Sequence, residues 1–239
     1  ICYMFEVQSK YNDKVIQVNI PQRHKVICVN VSGGADSALL LYKTMQYQKE
    51  TNNRFKIIAY TSAGRTRTFF NFYHASKVQY WITNQTQFEH NLSWCTFKRR
   101  NTNTSAQYSH FKIIAMQHQA TLFVSGRTAW PPKDELLPYW QLGDDLKLSK
   151  AEAQSYTRNS DMNPYQKYGD DDPKAHKWFK PNSYFYMPFI SVDKKWIWGS
   201  YKHYGIEALW NATRSCEGSQ RIMDDRCGKC WWCLEREWA

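Results

Sequence analysis

The sequence contains no apolar run long enough to cross a membrane. Hydrophobic residues make up 42% of its 239 residues, which is enough for a folded core. No run, however, approaches the roughly 20 consecutive apolar residues of a spanning helix, and no secretory signal is recognisable at the start. We therefore expect a cytoplasmic protein without a membrane partner, built as one α/β domain with an appendage.

An even set of cysteines, the usual sign of a disulfide framework, is also lacking. The chain has seven cysteines, and four of them cluster near its end as C-x10-C-x2-C-x2-C: Cys216, Cys227, Cys230 and Cys233. Such clustering indicates a metal site in a reducing compartment. Four thiolates suit a tetrahedral zinc whose role is structural, because no coordination position stays open. An iron–sulfur cluster is the alternative.

The two commonest phosphate-loop patterns, Gly-x-x-x-x-Gly-Lys and Gly-x-Gly-x-x-Gly, are absent. Instead, the β-branched run 26–31 leads into the hexapeptide 32–37, Ser-Gly-Gly-Ala-Asp-Ser, and then into a leucine-rich helical pattern. This order predicts a strand, a tight loop and a buried helix. Glycines let the backbone approach a ligand closely, and the unpaired N–H groups at a helix start bind anions.

The hexapeptide 32–37 is therefore interpreted as a pyrophosphate-binding loop. The hydroxyls of Ser32 and Ser37 would donate hydrogen bonds, and Asp36 would hold a magnesium ion against the phosphates. The alternative is an ordinary turn before a capped helix, since Gly-Gly and Asp-Ser are common in turns. We favour phosphate binding because every local feature agrees with it.

Strand and helix patterns alternate along much of the chain, which predicts a doubly wound parallel sheet. Four units are expected: an N-terminal hairpin (1–22), an α/β core (23–129), an insertion or lid (130–182) and a C-terminal helical segment with the cysteines (183–239). The predicted strands are 3–8, 14–20, 26–31, 55–60, 88–92 and 122–124, and ordered structure is expected to return at 184–190. Four helices are predicted. The first follows the hexapeptide 32–37 and ends near residue 51, and the others span 69–82, 104–119 and 194–204. Asp193 caps the last helix and Gly205 ends it.

Arginines directly follow two of the predicted parallel strands. Arg65 and Arg67 come after the strand 55–60, and Arg127 comes after the strand 122–124. The carboxyl ends of parallel strands meet at the ligand crevice of an open sheet. These arginines are therefore candidates for binding a phosphate or a substrate carboxylate, and a solvated basic loop is the alternative.

The hexapeptide 32–37 resembles the Ser-Gly-Gly-x-Asp-Ser loop of the N-type ATP pyrophosphatases, the PP-loop superfamily. Taken with Ser-Cys-Glu-Gly at 215–218 and Cys-Gly-Lys-Cys-x-x-Cys-x-Glu-Arg at 227–236, the chain resembles the 7-cyano-7-deazaguanine synthase family. Pro-Phe-Ile at 188–190 and the helix after it are also similar to that family. The resemblance implies an adenine nucleotide alpha hydrolase-like, Rossmann-like fold with a C-terminal zinc-binding tail.

The resemblance also implies an ATP-dependent carbon–nitrogen ligase that uses ATP, magnesium and zinc. The carboxylate of 7-carboxy-7-deazaguanine would be adenylated with release of pyrophosphate, converted by ammonia to the amide, and dehydrated to the nitrile by a second activation. The product would serve modified-nucleoside synthesis such as that of queuosine. Asp36 and Ser37 would be catalytic. The residues implied in ATP binding are Val31, Ser32, Gly33, Gly34, Ala35, Asp36, Ser37, Ala38, Tyr60 and Gly126.

Two stretches depart from the family's pattern. Gly-Arg-Thr-Arg at 64–67 stands where the family usually has a Gly-Gln-Arg/Lys-His-like stretch, and residues 127–132 replace its Tyr-Pro-Asp-Cys-Arg pattern. A different carboxylate substrate, or a tRNA-modifying PP-loop enzyme, therefore stays open. The net charge of +11 suits anionic partners, so a zinc-containing nucleic-acid-binding module is a third alternative. Nucleic acid is not required for the ligase, and the sequence also allows a homodimer.

Overall fold

A computed structural model of the chain describes two separate sheets and five helices. The described residues are 2–52, 54–63, 70–86, 92–98, 113, 115–129, 131, 135, 185–216, 226, 228 and 231–239. The strands are β1 (Cys2–Val7), β2 (Ile16–Pro21), β3 (Val26–Asn30), β4 (Lys56–Ala63), β5 (Leu92–Lys98), β6 (Leu122–Ser125) and β7 (Phe185–Tyr186). The helices are α1 (Ala35–Glu50), α2 (Asn71–Thr86), α3 (Lys194–Tyr204), α4 (Glu207–Ala212) and α5 (Trp231–Trp238).

The main sheet contains five parallel strands in the order β5-β4-β3-β6-β7. Val29 of β3 is in register with Ala59 of β4 on one side and with Val124 of β6 on the other. The chain runs outward from β3 through β4 to β5 and then returns to place β6 beside β3. The strand order thus reverses between β3 and β6, which is where an open α/β sheet binds its ligands. This mixed α/β architecture is compatible with a Rossmann-like fold.

The central strand β3 is buried on both faces. Ile27 and Val29 belong to the larger apolar cluster, whereas Cys28 belongs to a smaller one with Ile58 and Phe123. Alternate residues of a strand point to opposite faces of a sheet, so each face has its own core. The continuous apolar run that predicted this strand is typical of parallel sheets covered on both sides.

The predicted N-terminal hairpin is confirmed as the antiparallel pair β1 and β2, with Phe5 in register with Val18. Both residues join the larger cluster. The ring of Phe5 lies 5.0 Å from that of Tyr47 on α1, and the Tyr47 hydroxyl accepts a 2.9 Å hydrogen bond from the Met4 N–H. The hairpin is therefore packed onto the core through α1.

One predicted strand was wrongly placed. β5 spans Leu92–Lys98, whereas the prediction ended at residue 92, because pairing with β4 from Ile57 to Ala63 fixes its position; residues 88–91 lie outside the described residues. In the segment 184–190, where only a return of ordered structure was predicted, the short β7 is followed by a turn at 188–191. Pro188 has no N–H to continue the ladder, and the Val192 N–H instead bonds back to the Phe189 carbonyl at 3.1 Å.

The ends of α3 confirm the sequence signals. The Asp193 side chain accepts a 2.9 Å hydrogen bond from the Trp196 N–H, and Gly205 closes the helix in a left-handed conformation with φ of 64°. Of the predicted helix 104–119, the described residues 113 and 115–118 are helical, Gln119 lies beyond the helix with φ of 58°, and the others lie outside the described residues. So does nearly all of the predicted insertion 130–182. Within the described part of the chain, every helix is too short or too polar to cross a bilayer.

Candidate phosphate-binding site

The hexapeptide 32–37 leaves the carboxyl end of β3 and opens α1, as its sequence predicted. Gly33 has φ of 87°, and a Cβ on it would lie 2.5 Å from the Cβ of His74 on α2. Only glycine meets both demands, the left-handed backbone and the close approach. Gly34 then begins α1 without any side-chain hydrogen bond to the first turn. The first N–H groups of a helix have no partner within it, so this helix start can bind an anion.

The two serines of the hexapeptide lie side by side at this helix start. Ser32 Oγ and Ser37 Oγ are 3.3 Å apart. Ser37 Oγ donates to the Gly34 carbonyl at 2.9 Å and accepts from the Ser32 N–H at 3.2 Å. The hydroxyls therefore hold the loop in a tight turn while remaining at the surface from which a phosphate would approach.

A cavity of about 180 Å³ opens at this point. Its lining residues are Asn30, Ser32, Gly34, Asp36, Ser37, Ser125, Gly126, Arg127, Lys194, Ser215 and Trp232. Pockets for whole small-molecule ligands usually measure roughly 300–1,000 Å³. The cavity therefore has room for phosphate groups and a reacting carboxylate rather than for a complete nucleotide.

Six of the residues predicted for nucleotide or substrate binding line the cavity: Ser32, Gly34, Asp36, Ser37, Gly126 and Arg127. Gly126 is essential to the shape, because a Cβ there would lie 2.6 Å from the Asp36 carbonyl oxygen. Arg127 follows it with an exposed side chain. Arg65 and Arg67 lie outside the described residues.

The other predicted ATP-binding residues support the loop from behind. Val31, Ala35, Ala38 and Tyr60 are buried in the core, and Gly33 faces α2. The Tyr60 ring packs edge-on against Phe123, with centroids 6.1 Å apart, and its carbonyl accepts a 2.7 Å hydrogen bond from the Val31 N–H. The Tyr60 side chain is therefore part of the core and not of the cavity lining.

The sequence did not reveal Lys194, which contacts the central carboxylate of the site. Lys194 Nζ lies 2.5 Å from Oδ1 and 2.6 Å from Oδ2 of Asp36, and 3.7 Å from Oε2 of Glu235 on α5. Burial by itself would lower the pKa of Lys194, but the charges of Asp36 and Glu235 outweigh it and raise that pKa. Lys194 is thus a buried ammonium held charged between two carboxylates.

Glu235 is buried together with Lys194 at the base of α5. Burial raises the pKa of Glu235 to about 7, against the opposing charge of Lys194. In the sequence, Glu235 stands next to Arg236 inside an aromatic segment. Both residues belong to the motif that resembles the family, but no role was predicted for either. A charged pair among apolar residues is unusual for a buried helix unless each member has a partner.

The C-terminal segment also contacts the backbone of the hexapeptide. The Arg214 N–H donates to the Gly33 carbonyl at 2.8 Å, and the buried Tyr201 hydroxyl donates to the Ala35 carbonyl at 2.7 Å. Ser215 and Trp232 complete the cavity wall. The loop is consequently enclosed by residues that lie far along the chain.

The predicted zinc ligands are only partly within the described residues. Cys216 directly follows Ser215, and Cys233 is buried on α5; both are reduced. Cys227 and Cys230 lie outside the described residues. Among the residues that the structure does describe, no group of three or more His, Cys, Asp or Glu side chains could hold a metal ion. The donor set of four thiols remains chemically suited to zinc.

Asp36 is chemically suited to magnesium, because carboxylate and hydroxyl oxygens are the hard ligands that this ion prefers. The Asp36 side chain is 21% exposed, so a ligand in the cavity can reach it. Both carboxylate oxygens are engaged by Lys194, however, and Thr128 Oγ1 lies 3.5 Å from Oδ2. A cation could therefore bind Asp36 only if Lys194 yields at least one oxygen.

Comparison with known proteins leaves the family of the chain undetermined. No model of a known protein family matches the sequence, and no curated protein matches it. The features of the chain that bear on its function are therefore the loop motif and the geometry of the cavity.

Proposed function

We propose that this protein is an ATP-dependent ligase of the PP-loop type, which adenylates a carboxylate and adds ammonia. The family's reaction, from 7-carboxy-7-deazaguanine to the 7-cyano product, is the model for it. One observation carries the proposal: the hexapeptide 32–37, the uncapped start of α1 and the Lys194–Asp36 pair converge on one cavity where the strand order reverses. This is a phosphate site with an acidic group and two cations, Lys194 and Arg127, at its edge.

Each polar group of the cavity has a task in pyrophosphate release. The α1 N–H groups and the Ser32 hydroxyl would donate hydrogen bonds to the charge that develops on the departing pyrophosphate, and the Ser37 hydroxyl would join them by turning away from the Gly34 carbonyl. Arg127 would balance that charge or hold the substrate carboxylate. Donors fixed in advance are the most effective kind of transition-state stabilisation, and these donors are fixed by their contacts with Gly34 and the core.

The proposed reaction balances in two activations. A carboxylate oxygen attacks the α-phosphorus of ATP, and pyrophosphate leaves. Ammonia then attacks the acyl carbon, AMP leaves, and a proton is lost to give the amide. In the second activation the amide oxygen attacks the α-phosphorus of a second ATP, pyrophosphate leaves and the nitrogen loses a proton; elimination of AMP and of the second N–H proton then forms the nitrile. The chain's residues orient these groups and exclude water.

Magnesium and zinc have separate places in this proposal. Asp36 would hold magnesium, which supplies positive charge to the phosphates. Cys216, Cys227, Cys230 and Cys233 would hold a structural zinc that fixes the C-terminal tail. We further propose that the sheet is doubly wound, because Ala115 packs against the smaller cluster on the face opposite α1.

The make-up of the cavity wall favours a ligase over a sulfur-transferring PP-loop enzyme. Among the described residues, no cysteine lines the cavity, and Cys28 is fully buried in β3. Sulfur transfer needs an accessible, activated thiol. A ligase that acts on another carboxylic acid is the second candidate, since Arg127 belongs to the stretch that departs from the family's pattern.

The decisive experiment measures pyrophosphate release from ATP with ammonium and a panel of carboxylic acids that includes 7-carboxy-7-deazaguanine. We expect Asp36→Asn to lower the rate at least about 10²–10³-fold, the usual loss for one transition-state contact, and Ser32→Ala to have a milder effect. Asp13→Asn, at an exposed turn of the hairpin, is the matched control. Wild-type turnover by Asp36→Asn would contradict the proposal.

A further inference from the structure

Lys194 joins two carboxylates that come from opposite ends of the chain. Asp36 belongs to the first turn of α1 and faces the cavity, whereas Glu235 belongs to α5. The Nζ of Lys194 hydrogen-bonds both oxygens of Asp36 at 2.5 and 2.6 Å but stands 3.7 Å from Glu235. One buried ammonium therefore faces two carboxyl groups, and it contacts them unequally.

Of the two carboxyl groups near Lys194, that of Glu235 has an oxygen that lacks a hydrogen bond from any described residue. Its Oε2 atom is buried and has no hydrogen-bond partner among the described residues. Its ion partner Lys194 Nζ, at 3.7 Å, is beyond hydrogen-bond distance, and a hydrogen bond to a buried acceptor that has none is favourable. Glu235 is consequently ready to accept a hydrogen bond from Lys194.

The rest of α5 is already fastened to α4. Arg236 donates to Thr213 Oγ1 at 2.7 Å and to the Trp210 carbonyl at 2.5 Å, and its guanidinium lies 4.1 Å from the centre of the Trp210 ring. The contact between α5 and α3 through Glu235 is the incomplete one. Because α5 also carries Trp232, which lines the cavity, that contact controls how firmly the cavity wall is held.

We propose that Lys194 is a positioning residue that transfers from Asp36 to Glu235 when a nucleotide with its cation engages Asp36, and thereby fastens α5 over the cavity. The inference rests on the proposed function for the identity of the ligand. A hydrogen bond of about 2.8 Å requires Nζ to approach Glu235 by about 1 Å, which rotation of the lysine side chain supplies. Trp232 is then held in place and water is excluded from the reacting groups.

The first test needs no nucleotide. Asp36→Asn, or Asp36→Ala if the first variant folds poorly, releases Lys194 from its present partner. Hydrogen–deuterium exchange of the α5 amides should slow by about tenfold, the effect of one hydrogen bond between charged groups. Adding Glu235→Met, which removes the acceptor, should abolish the slowing, whereas adding Glu237→Met, the same change at an exposed position of α5, should preserve it. Unchanged or faster exchange in the Asp36 variants, or slowing that survives Glu235→Met, would overturn the inference.

The second test uses magnesium and ATP with the wild type and with Glu235→Met. Equilibrium dialysis measures binding, and hydrogen exchange measures the response of α5. We expect bound ATP to slow α5 exchange about tenfold in the wild type and in Glu237→Met, but not in Glu235→Met. ATP that binds without slowing α5 would overturn the transfer of Lys194. Failure of ATP to bind would contradict the proposed function instead, while the Asp36 variants still decide the inference.

Discussion

Two helices begin at the same cavity in opposite ways. α1 starts at Gly34, which contributes no side-chain hydrogen bond, whereas α3 starts at Asp193, whose carboxylate accepts from the Trp196 N–H. A capped helix satisfies its first N–H groups from its own chain, and an uncapped one leaves them to a ligand or to water. α1 therefore offers donors to an anion, while α3 closes its own end and presents Lys194 in its first turn.

The comparison shows how the work of one site is divided between two regions of the chain. The hexapeptide 32–37 supplies the groups that would touch phosphate. The C-terminal segment supplies the contacts that fix those groups: Lys194 to Asp36, Tyr201 to the Ala35 carbonyl and Arg214 to the Gly33 carbonyl. A site held in this way depends on the second region for its shape as much as on the first for its chemistry.

The contribution of α3 can be removed at Lys194. Lys194→Met keeps the length of the side chain but leaves the buried Glu235 and the partly exposed Asp36 without their ammonium, and breaking a buried pair costs about 3–5 kcal/mol. We expect the free energy of unfolding, measured by urea denaturation, to fall by about that amount. Lys195→Met is the matched control, because Lys195 pairs with Glu135 at the surface and exposed pairs contribute less than about 1 kcal/mol. Equal losses of unfolding free energy in the two variants would show that the Lys194–Asp36 ion pair stabilises the fold no more than the surface pair does.

A smaller effect separates two glycines with left-handed backbones, one in each region. Gly33→Ala combines that conformation with a contact of 2.5 Å to His74, whereas a Cβ on Gly205 would meet nothing within 4 Å. The conformation alone costs about 1–2 kcal/mol, and overpacking adds about 1–3 kcal/mol. Urea denaturation should therefore show a loss of about 3 kcal/mol for Gly33→Ala and about 1 kcal/mol for Gly205→Ala. A larger loss at Gly205 would reverse the comparison.

Local patterns in the sequence were sufficient for the loop and for most of the sheet. The run 26–31 and the hexapeptide 32–37 form a strand, a turn and a helix because each step depends on neighbouring residues: β-branched side chains, then glycines, then leucines. The cap at Asp193 and the stop at Gly205 are local signals of the same kind. These local patterns predict the structure correctly because the tertiary contacts of the same residues favour the same conformations.

The remainder of the site depends on contacts that no local pattern contains. Lys194 is 158 residues from Asp36 in the sequence, and a lysine after a helix cap is typical of an exposed position. Only packing of α3 against α1 turns it inward. The position of β5 was missed for a similar reason, since pairing with β4 decides its register. Nothing near residue 88 could reveal that pairing.

The smallest expected effect tests the cap of α3 itself. Asp193→Ala removes the acceptor for the Trp196 N–H and should lower the free energy of unfolding by about 1 kcal/mol. Asp193→Asn retains an acceptor of nearly equal quality, so it should change stability by less than about 0.5 kcal/mol at neutral pH.

The pH dependence of stability in Asp193→Asn tests how the cap at the start of α3 differs from the uncapped start of α1. Burial raises the pKa of Asp193, although the hydrogen bond from the Trp196 N–H opposes the rise. A folded-state pKa above the unfolded value means that the folded protein binds the proton more tightly, so the wild type loses stability as the pH rises above the ordinary pKa of aspartate. Asparagine does not titrate. Stability curves measured by urea denaturation at several pH values should therefore show Asp193→Asn gaining on the wild type as the pH rises from about 4 to neutral. Parallel curves would mean that the pKa of Asp193 is the same in the folded and the unfolded protein, so that burial and the hydrogen bond from the Trp196 N–H cancel.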